Sequence, residues 1–511
     1  MFEEIRVGNF KGFKGIHTLE LSKINLFYGA NSAGKSALLE ALLLLKQSIR
    51  RNTVTQDQDL EPFIFNGSDV DLGSFQAAIN GHDIDKKLIL GGSYDRGDRG
   101  RNDEGSRDVQ HFDVEVAWNQ ETRSQILESV TYRVDNAPEN SIIFKRGTAN
   151  KGETAIRPVD QLGFENVAKV VVESASRKLP AADEIDLSEV KGMMQSASYE
   201  NWSFLPGMPS GESATHAHLK NLKELQEKLD EAKQNAQNST ESQEDKLETL
   251  QKTLAIAQEE FREIYLNQTL KSTWRELLLS RYRDTGNVLS SIRYLGPLRK
   301  FPTRIERLVE KSKKYVGREG EGVASILQRD PSIVKKVNMY MQKMQIPYEL
   351  HVIKLDPDGA GILGEIIALQ LVDLRSNVVL SLEDVGFGIS QVLPILVQLA
   401  ISESDMVLIE QPELHLHPAL QAHFGDLLID GITPDSKNQF IIETHSEHLL
   451  LRLQRRIREG ILSSEDIRIY YIDANKELGS YVQLIELDDQ GEFITAWPNG
   501  FFPERLDEML A

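Results

Sequence analysis

Apolar and polar positions recur along this chain in three different periods, and each predicts its own kind of element. Short unbroken apolar runs at Ile24–Tyr28, Met406–Ile409 and Gln439–Ile442 predict strands buried on both faces, as in a parallel sheet. Residues 2–28 read as two strands joined by the turn Asn9-Phe10-Lys11-Gly12-Phe13-Lys14-Gly15. Alternating runs at Lys87–Leu90, Phe112–Val116 and Ile142–Phe144 predict half-buried antiparallel strands. Ala37–Gln47 and Ile389–Ala400 read as helices, and Val378–Leu382 as a further strand. Between 214 and 282 the stepping becomes three and four, through Leu219, Leu222, Leu225, Leu229 and Ala232, then Leu247, Leu250, Leu254, Ala257, Phe261 and Ile264. That predicts two helical arms split by the polar stretch Gln234–Asp245, each of about 20 residues and about 30 Å long. A hairpin packed on the body and a protruding partner-binding arm both satisfy this pattern.

The buried-strand signals lie at both ends of the chain, so the expected fold class is α/β, with one sheet built from both ends and the middle inserted. The expected organisation is an N-terminal lobe at 1–81, an antiparallel β subdomain at 82–175, a linker and helical hairpin insertion at 176–284, and a C-terminal lobe at 285–511. Within the β subdomain, Asp95–Gly105 mixes glycines, arginines and acids. It reads as a hairpin tip, since its acids cancel the field an RNA-binding Arg-Gly segment would need.

Composition narrows this picture only slightly. The 511 residues suffice for two or three domains. A net charge of −20 argues against a uniformly basic nucleic-acid binder, though not against a local basic groove. The absence of cysteine excludes disulfides, thiolate zinc sites and cysteine nucleophiles, and fits a cytoplasmic protein. No apolar run approaches about 18 residues and the start lacks a signal-peptide pattern, so neither membrane insertion nor secretion is expected.

The chemistry concentrates at Gly29-Ala30-Asn31-Ser32-Ala33-Gly34-Lys35-Ser36, a complete G-x-x-x-x-G-K-S phosphate loop between a strand and a helix. Its glycines let the N–H groups of Asn31, Ser32, Ala33 and Gly34 converge on a polyphosphate, helped by the partial positive charge of the helix N-terminus. Lys35 should reach the β and γ phosphates of ATP or GTP, and the Ser36 hydroxyl should ligate Mg²⁺. Three weaker signals follow. Glu410 ends a buried strand, expected beside the phosphate-loop strand, where Mg²⁺ or its water is held. His445, in Glu443-Thr444-His445-Ser446, is placed to contact a γ-phosphate. Gly386-Phe387-Gly388 opens a helix and offers a second anion site.

Taken together and in this order, these residues resemble the ABC-type ATPases of the SMC, RecF and OLD group. They look closest to the AAA-like ATPases of prokaryotic anti-phage defence systems. The likeness covers roughly 1–80 and 285–511. It is carried by Asn9-Phe10-Lys11-Gly12-Phe13-Lys14, the phosphate loop, Glu410-Gln411-Pro412-Glu413-Leu414-His415-Leu416-His417-Pro418 and Thr444-His445-Ser446. Ala496–Phe502 also resembles the tail of one subfamily. The resemblance implies an ABC-type ATPase head, in which a mixed sheet carries the phosphate loop next to an antiparallel β subdomain. It implies Lys11 near the phosphates, Glu410 as the Mg²⁺-supporting acid and His445 as the switch histidine. Gly386 and Gly388 would form a signature loop reaching a dimer partner's ATP, with His415 and His417 lining that interface rather than holding a metal. The signature departs from the usual Leu-Ser-Gly-Gly.

The residue after Glu410 is Gln411, where many relatives place a glutamate as general base. An amide cannot take that proton but can orient water. The readings are slow hydrolysis with ATP as a long-lived clamp, Glu413 acting as base, or an inactivating substitution, and slow natural turnover is favoured. The function implied is an ATP-gated, dimerising ATPase that regulates a nuclease effector from a neighbouring gene. A RecF- or SMC-like repair clamp is the alternative. An OLD-type nuclease fits less well, because Asp473 has no accompanying Asp-x-Asp motif. Two basic segments, one running from Arg299 through Lys300, Arg304, Arg307, Lys311, Lys313 and Lys314 to Arg318, the other Arg452, Arg455, Arg456 and Arg458, make nucleic acid a further candidate partner. The competing reading is that acidic neighbours pair them. Arg299 and Arg304 are also candidates to approach nucleotide phosphates.

Overall fold

The computed structural model describes residues 1–51, 61–96, 109–134, 142–148, 154–158, 202–203, 205–206, 221, 223–231, 241–307, 315–355 and 366–498. In chain order the strands are β1 (Phe2–Gly8), β2 (Ile16–Glu20), β3 (Ile24–Gly29), β4 (Leu88–Asp95), β5 (Val109–Asn119), β6 (Ser124–Val134), β7 (Ile142–Thr148), β8 (Thr154–Pro158), β9 (Trp202–Ser203) and β10 (Leu205–Pro206). They continue as β11 (Ile292–Leu295), β12 (Glu306–Arg307), β13 (Tyr348–Leu355), β14 (Ile366–Asp373), β15 (Val379–Ser381), β16 (Met406–Glu410), β17 (Gln439–Glu443), β18 (Ile467–Asn475) and β19 (Gly479–Ile485). The helices are α1 (Lys35–Arg51), α2 (Phe75–Ala78), α3 (Glu241–Ser290), α4 (Val323–Arg329), α5 (Pro331–Lys343), α6 (Phe387–Ile401), α7 (Pro418–Gly431) and α8 (Glu447–Arg458).

The chain divides into two compact units, one of residues 1–57, 61–127 and 285–511, the other of 58–60 and 128–284. The first is mixed α/β. Its main sheet has the order β11-β16-β17-β3-β18-β19, so a strand from the N-terminal end sits among strands from the C-terminal end. Every residue of β3, β16 and β17 is buried, which is why their sequences are continuous apolar runs rather than alternating ones. The ladders β11–β16, β16–β17, β17–β3 and β18–β3 are parallel, whereas β19 returns antiparallel. The strand neighbouring β3 on that side is β17, not β16. Glu410 therefore ends a strand one place further from the phosphate loop than expected.

Helices α4 to α8 bury their apolar faces in one core with this sheet, around Val337, Met341, Leu396, Phe424, Leu428 and Leu453. α8 starts at an N-cap, where the Ser446 hydroxyl accepts from the Leu449 N–H at 3.1 Å. In α7 the cap is His417, whose Nδ1 accepts from the Ala419 N–H at 3.3 Å, with Pro418 at the first helical position. A second sheet in this unit pairs β2, β1, β4 and β5 antiparallel, so β1 and β2 join the strands that follow α2. A third holds β12, β13, β14 and β15. β15 falls where Val378–Leu382 predicted a strand, but Val378 and Val379 are exposed.

In the second unit, β6, β7 and β8 make an antiparallel meander through Ser129↔Lys145 and Phe144↔Pro158. Its helical part confirms the stepping of three and four: Leu229, Leu254 and Ala257 are buried while their neighbours face solvent. The second arm is longer than expected. α3 runs 50 residues, about 75 Å, and continues past the last stepped leucine to Ser290. Residues 223–231 are helical, and residues 232–240, where the turn between the arms was expected, lie outside the described residues. So do Lys311, Lys313 and Lys314, most of Asp95–Gly105, and residues 499–511. Among the described residues, no helix is long and apolar enough to cross a membrane.

Candidate nucleotide site

The site begins with backbone geometry. Gly29 ends β3 at φ +141, where a Cβ would stand 1.8 Å from the Ile472 carbonyl oxygen of β18, so only glycine lets the loop leave the sheet there. Gly34 sits at φ +112, against Ser480 and Phe13, and Ser32 also takes a positive φ of 63. Between them the chain turns from β3 into α1, with Asn31, Ser32, Ala33 and Gly34 forming the turn and Lys35 opening the helix. Lys35 is buried, and its Nζ donates to the carbonyls of Gly29 at 3.0 Å and Ala30 at 2.8 Å. Burial lowers its pKa, against the pull of Glu443 and Glu413.

The acids arrive by strand register. Parallel pairing sets Glu410 of β16 opposite Glu443 of β17, and Glu443 opposite Phe27 of β3, so both carboxylates end their strands beside the loop. Glu443 Oε2 accepts from the Ser36 hydroxyl at 2.7 Å. Glu410 Oε1 accepts from the Tyr294 hydroxyl of β11 at 2.8 Å. Burial raises the pKa of Glu410 to about 7, reinforced by the charge of Glu443 and opposed by the Tyr294 hydrogen bond. Burial raises that of Glu443 too, opposed by Ser36 and Lys35. A hydroxyl and two carboxylates are the hard oxygen donors Mg²⁺ prefers, and Mg²⁺ commonly takes one or two carboxylates plus substrate phosphates. Among the described residues no three His, Cys, Asp or Glu side chains form a complete metal cage. The donors present fit a magnesium ion brought by a nucleotide, which Ser36 and Glu443 would hold with Glu410 behind. Sequence reasoning missed Glu443. The signal was present, an acid in the last position of a buried strand, but the histidine two residues later drew the assignment.

Other expected residues take different places. Glu413 accepts from the Thr444 hydroxyl and the His445 N–H, both at 2.7 Å, and burial raises its pKa. It is tied to the Thr444–His445 segment through both carboxylate oxygens. Gln411 lies at φ 45 and its N–H donates to the Glu443 carbonyl at 2.7 Å, which fixes the turn after β16 to the end of β17. His445 is partly buried, and that burial, with the nearby Lys35, lowers its pKa. Lys11, at φ 48, pairs its ammonium with Glu40, one turn along α1 from Ser36. Gly386 is the N-cap of α6 with open space about it, whereas a Cβ on Gly388 would stand 2.4 Å from the His415 carbonyl oxygen. Gly388 is thus required by the approach of α6 to the turn after Glu413. The His415 ring is exposed and its edge meets Phe387, their centroids 4.8 Å apart.

The second basic segment is neutralised by acids, and of the first Lys300 and Arg304 are. Arg452 and Arg456 both bind Asp426, with contacts of 2.7 Å each, while Arg455 pairs with Glu459 at 2.7 Å and Arg458 with Glu492 at 3.3 Å. Lys300 pairs with Glu306 at 3.2 Å, and Arg304 with Glu383 at 3.0 Å and Asp384 at 2.8 Å. Among these, Arg299 alone is deeply buried, 3% exposed, beside Glu410.

The family model described as AAA ATPase domain matches residues 1–450. No curated protein matches the chain. Among solved structures, the chain is similar to the Smc head domain with an extended coiled coil bound to the C-terminal domain of ScpA from Pyrococcus furiosus, at 14% identity and TM-score 0.34, covering 100% of this chain and 98% of that one. It is also similar to the SmcHead bound to the C-winged helix domain of ScpA, at 12% identity and TM-score 0.40, covering 95% and 98%. The SMC head domain from Thermotoga maritima matches at 8% identity and TM-score 0.32, covering 95% and 99%.

Proposed function

The chain belongs to the AAA ATPase domain family, and from that premise we propose that it is an ATP-gated, dimerising ATPase of the cytoplasm that controls a partner effector, a nuclease, in bacterial anti-phage defence. The observation that carries the nucleotide part is the hydrogen bond from Ser36 to Glu443 at the foot of a strained glycine loop, with Lys35 folded over the same loop. In this reading Lys35 and the loop N–H groups of Asn31 to Ser36 grip the phosphates. Ser36, Glu443 and Glu410 hold Mg²⁺, which supplies charge neutralisation on the phosphates. His445 sits within electrostatic reach of Lys35 and reports on the γ-phosphate.

Gln411 orients the attacking water without taking its proton, so turnover is slow and bound ATP is a durable signal. Glu413 braces the switch segment instead of serving as base, because both its oxygens already accept hydrogen bonds. The dimerising face would include Gly386, Phe387 and His415, next to the exposed Phe301. The defence role and the effector rest on the motif resemblance. The 50-residue α3 favours, as a second reading, a RecF- or SMC-like clamp on DNA.

Titration calorimetry with ATPγS and Mg²⁺, paired with sedimentation of the same samples, tests the proposal. Binding with a shift to a larger species is expected, and an oligomeric state indifferent to nucleotide rejects the gate. Gln411→Glu should raise turnover at least about tenfold if the amide limits hydrolysis. Co-purification with the product of the adjacent gene tests the effector.

A further inference from the structure

Arg299 is an unusual cation. The residue is 3% exposed, yet among the described residues its guanidinium makes one hydrogen bond, Nη2 to the Glu410 carbonyl at 3.0 Å. Nε and Nη1 are buried and have no partner among the described residues. Leaving buried donors of a charged group unpaired is costly, because their hydration is lost without replacement. The carboxylates of Glu413 and Glu410 offset part of this through space. The main chain of the same residue is clasped by a side chain of α6. The Arg299 N–H donates to Gln391 Oε1 at 3.3 Å, and Gln391 Nε2 donates to the Arg299 carbonyl at 3.4 Å. Gln391 is 1% exposed and lies one turn into the helix that starts at Gly386-Phe387-Gly388. One residue therefore touches the end of the β16 acid strand through its side chain and the opening turn of α6 through its backbone.

We propose that Arg299 is a positioning residue that couples the loaded nucleotide site to the start of α6, its two unpartnered nitrogens, Nε and Nη1, donating to anionic oxygen when the site is filled. The inference rests on the nucleotide reading above. New bonds to the guanidinium alter its hold on the Glu410 carbonyl, and with it the turn carrying Gln411. The same displacement reaches Gln391 through the paired backbone contacts and resets residues 384–391, which lead into and open α6. Lysine cannot reproduce the link, because it is a point charge without the planar fork that serves Glu410 and a second acceptor together.

Amide hydrogen exchange of residues 384–391, with and without ATPγS and Mg²⁺, reads the coupling directly. In the wild type, nucleotide should slow exchange there. Arg299→Lys should keep its melting temperature near wild type and, at saturating ATPγS, still lose the exchange response, with at least about tenfold lost in kcat. Gln391→Leu keeps the guanidinium and cuts the clasp, so it should also bind ATPγS normally and lose the response. Wild-type binding with an intact response in both variants overturns the inference alone. Calorimetry that detects no ATPγS binding to the wild type overturns the nucleotide reading, and this inference with it.

Discussion

Two arginines, Arg299 and Arg456, show how differently one side chain is used in the same unit. Arg456 lies on the α7–α8 seam, where Nε and Nη2 reach both oxygens of Asp426 at 2.7 and 3.1 Å and Nη1 reaches Glu459. Those hydrogen bonds raise its pKa above the ordinary arginine value. Arg299 is more buried and less satisfied, and burial lowers its pKa to about 10. The seam is complete as it stands, with donors and acceptors matched. The strand end collects Glu410, Glu443, Glu413, Lys35 and Arg299 in partial shelter, with two carboxylates facing each other in register. A site prepared for a charged ligand is expected to look unfinished without it, and to pay in stability for that readiness.

Substitutions should therefore separate the two regions, with affinity lost at one and stability at the other. The largest effect is expected from Lys35→Ala, which should weaken ATPγS binding by at least about 100-fold in calorimetry while the melting temperature hardly moves. Next is Glu443→Gln, which keeps a hydrogen bond to Ser36 but removes charge from the Mg²⁺ position. It should cost about 10- to 100-fold in Mg²⁺-dependent affinity and spare binding measured in EDTA. Equal losses with and without Mg²⁺ would return the metal role to Glu410.

Asp426→Asn should do the reverse, lowering unfolding free energy by about 2 kcal/mol in denaturant melts and leaving nucleotide affinity untouched. The same pair predicts a pH dependence. Burial alone would raise the Asp426 pKa, but the Arg456 and Arg452 contacts outweigh it and hold it below 3.8. With the folded value depressed, the stabilisation is present above the unfolded pKa and is lost as pH falls through the folded one. Wild type should therefore lose an increment of stability in acid below about pH 4 that Asp426→Asn never had. The smallest expected effect is from Arg455→Ala, an exposed (i, i+4) pair with Glu459 worth about 0.3–0.5 kcal/mol.

What the sequence disclosed follows a physical line. The phosphate loop, β3, β16, β17 and the start of α1 were legible because local chemistry sets them: glycines where φ must be positive, and apolar runs where both faces are covered. Strand order was not, since nothing in the linear chain says that β17 lies between β16 and β3, and that order is what gives Ser36 to Glu443. Burial of charge was equally hidden. Counting Lys and Arg groups Arg299 with Lys300 and Arg304, though the first is enclosed and the others pair with acids at the surface. The length of α3 escaped because its second half lacks the regular leucine step that marks the first.

The contact between Gly29 and Ile472 also has a bearing on biosynthesis. The loop that would seize a triphosphate is translated within the first tenth of the chain, but the wall it leans on, together with Ser480 against Gly12 and Gly34, comes some 440 residues later. At roughly 5–20 residues per second, a ribosome needs on the order of a minute to deliver that wall. Nascent or truncated chains that stop short of Ile472 and Ser480 thus expose the fingerprint without its grip.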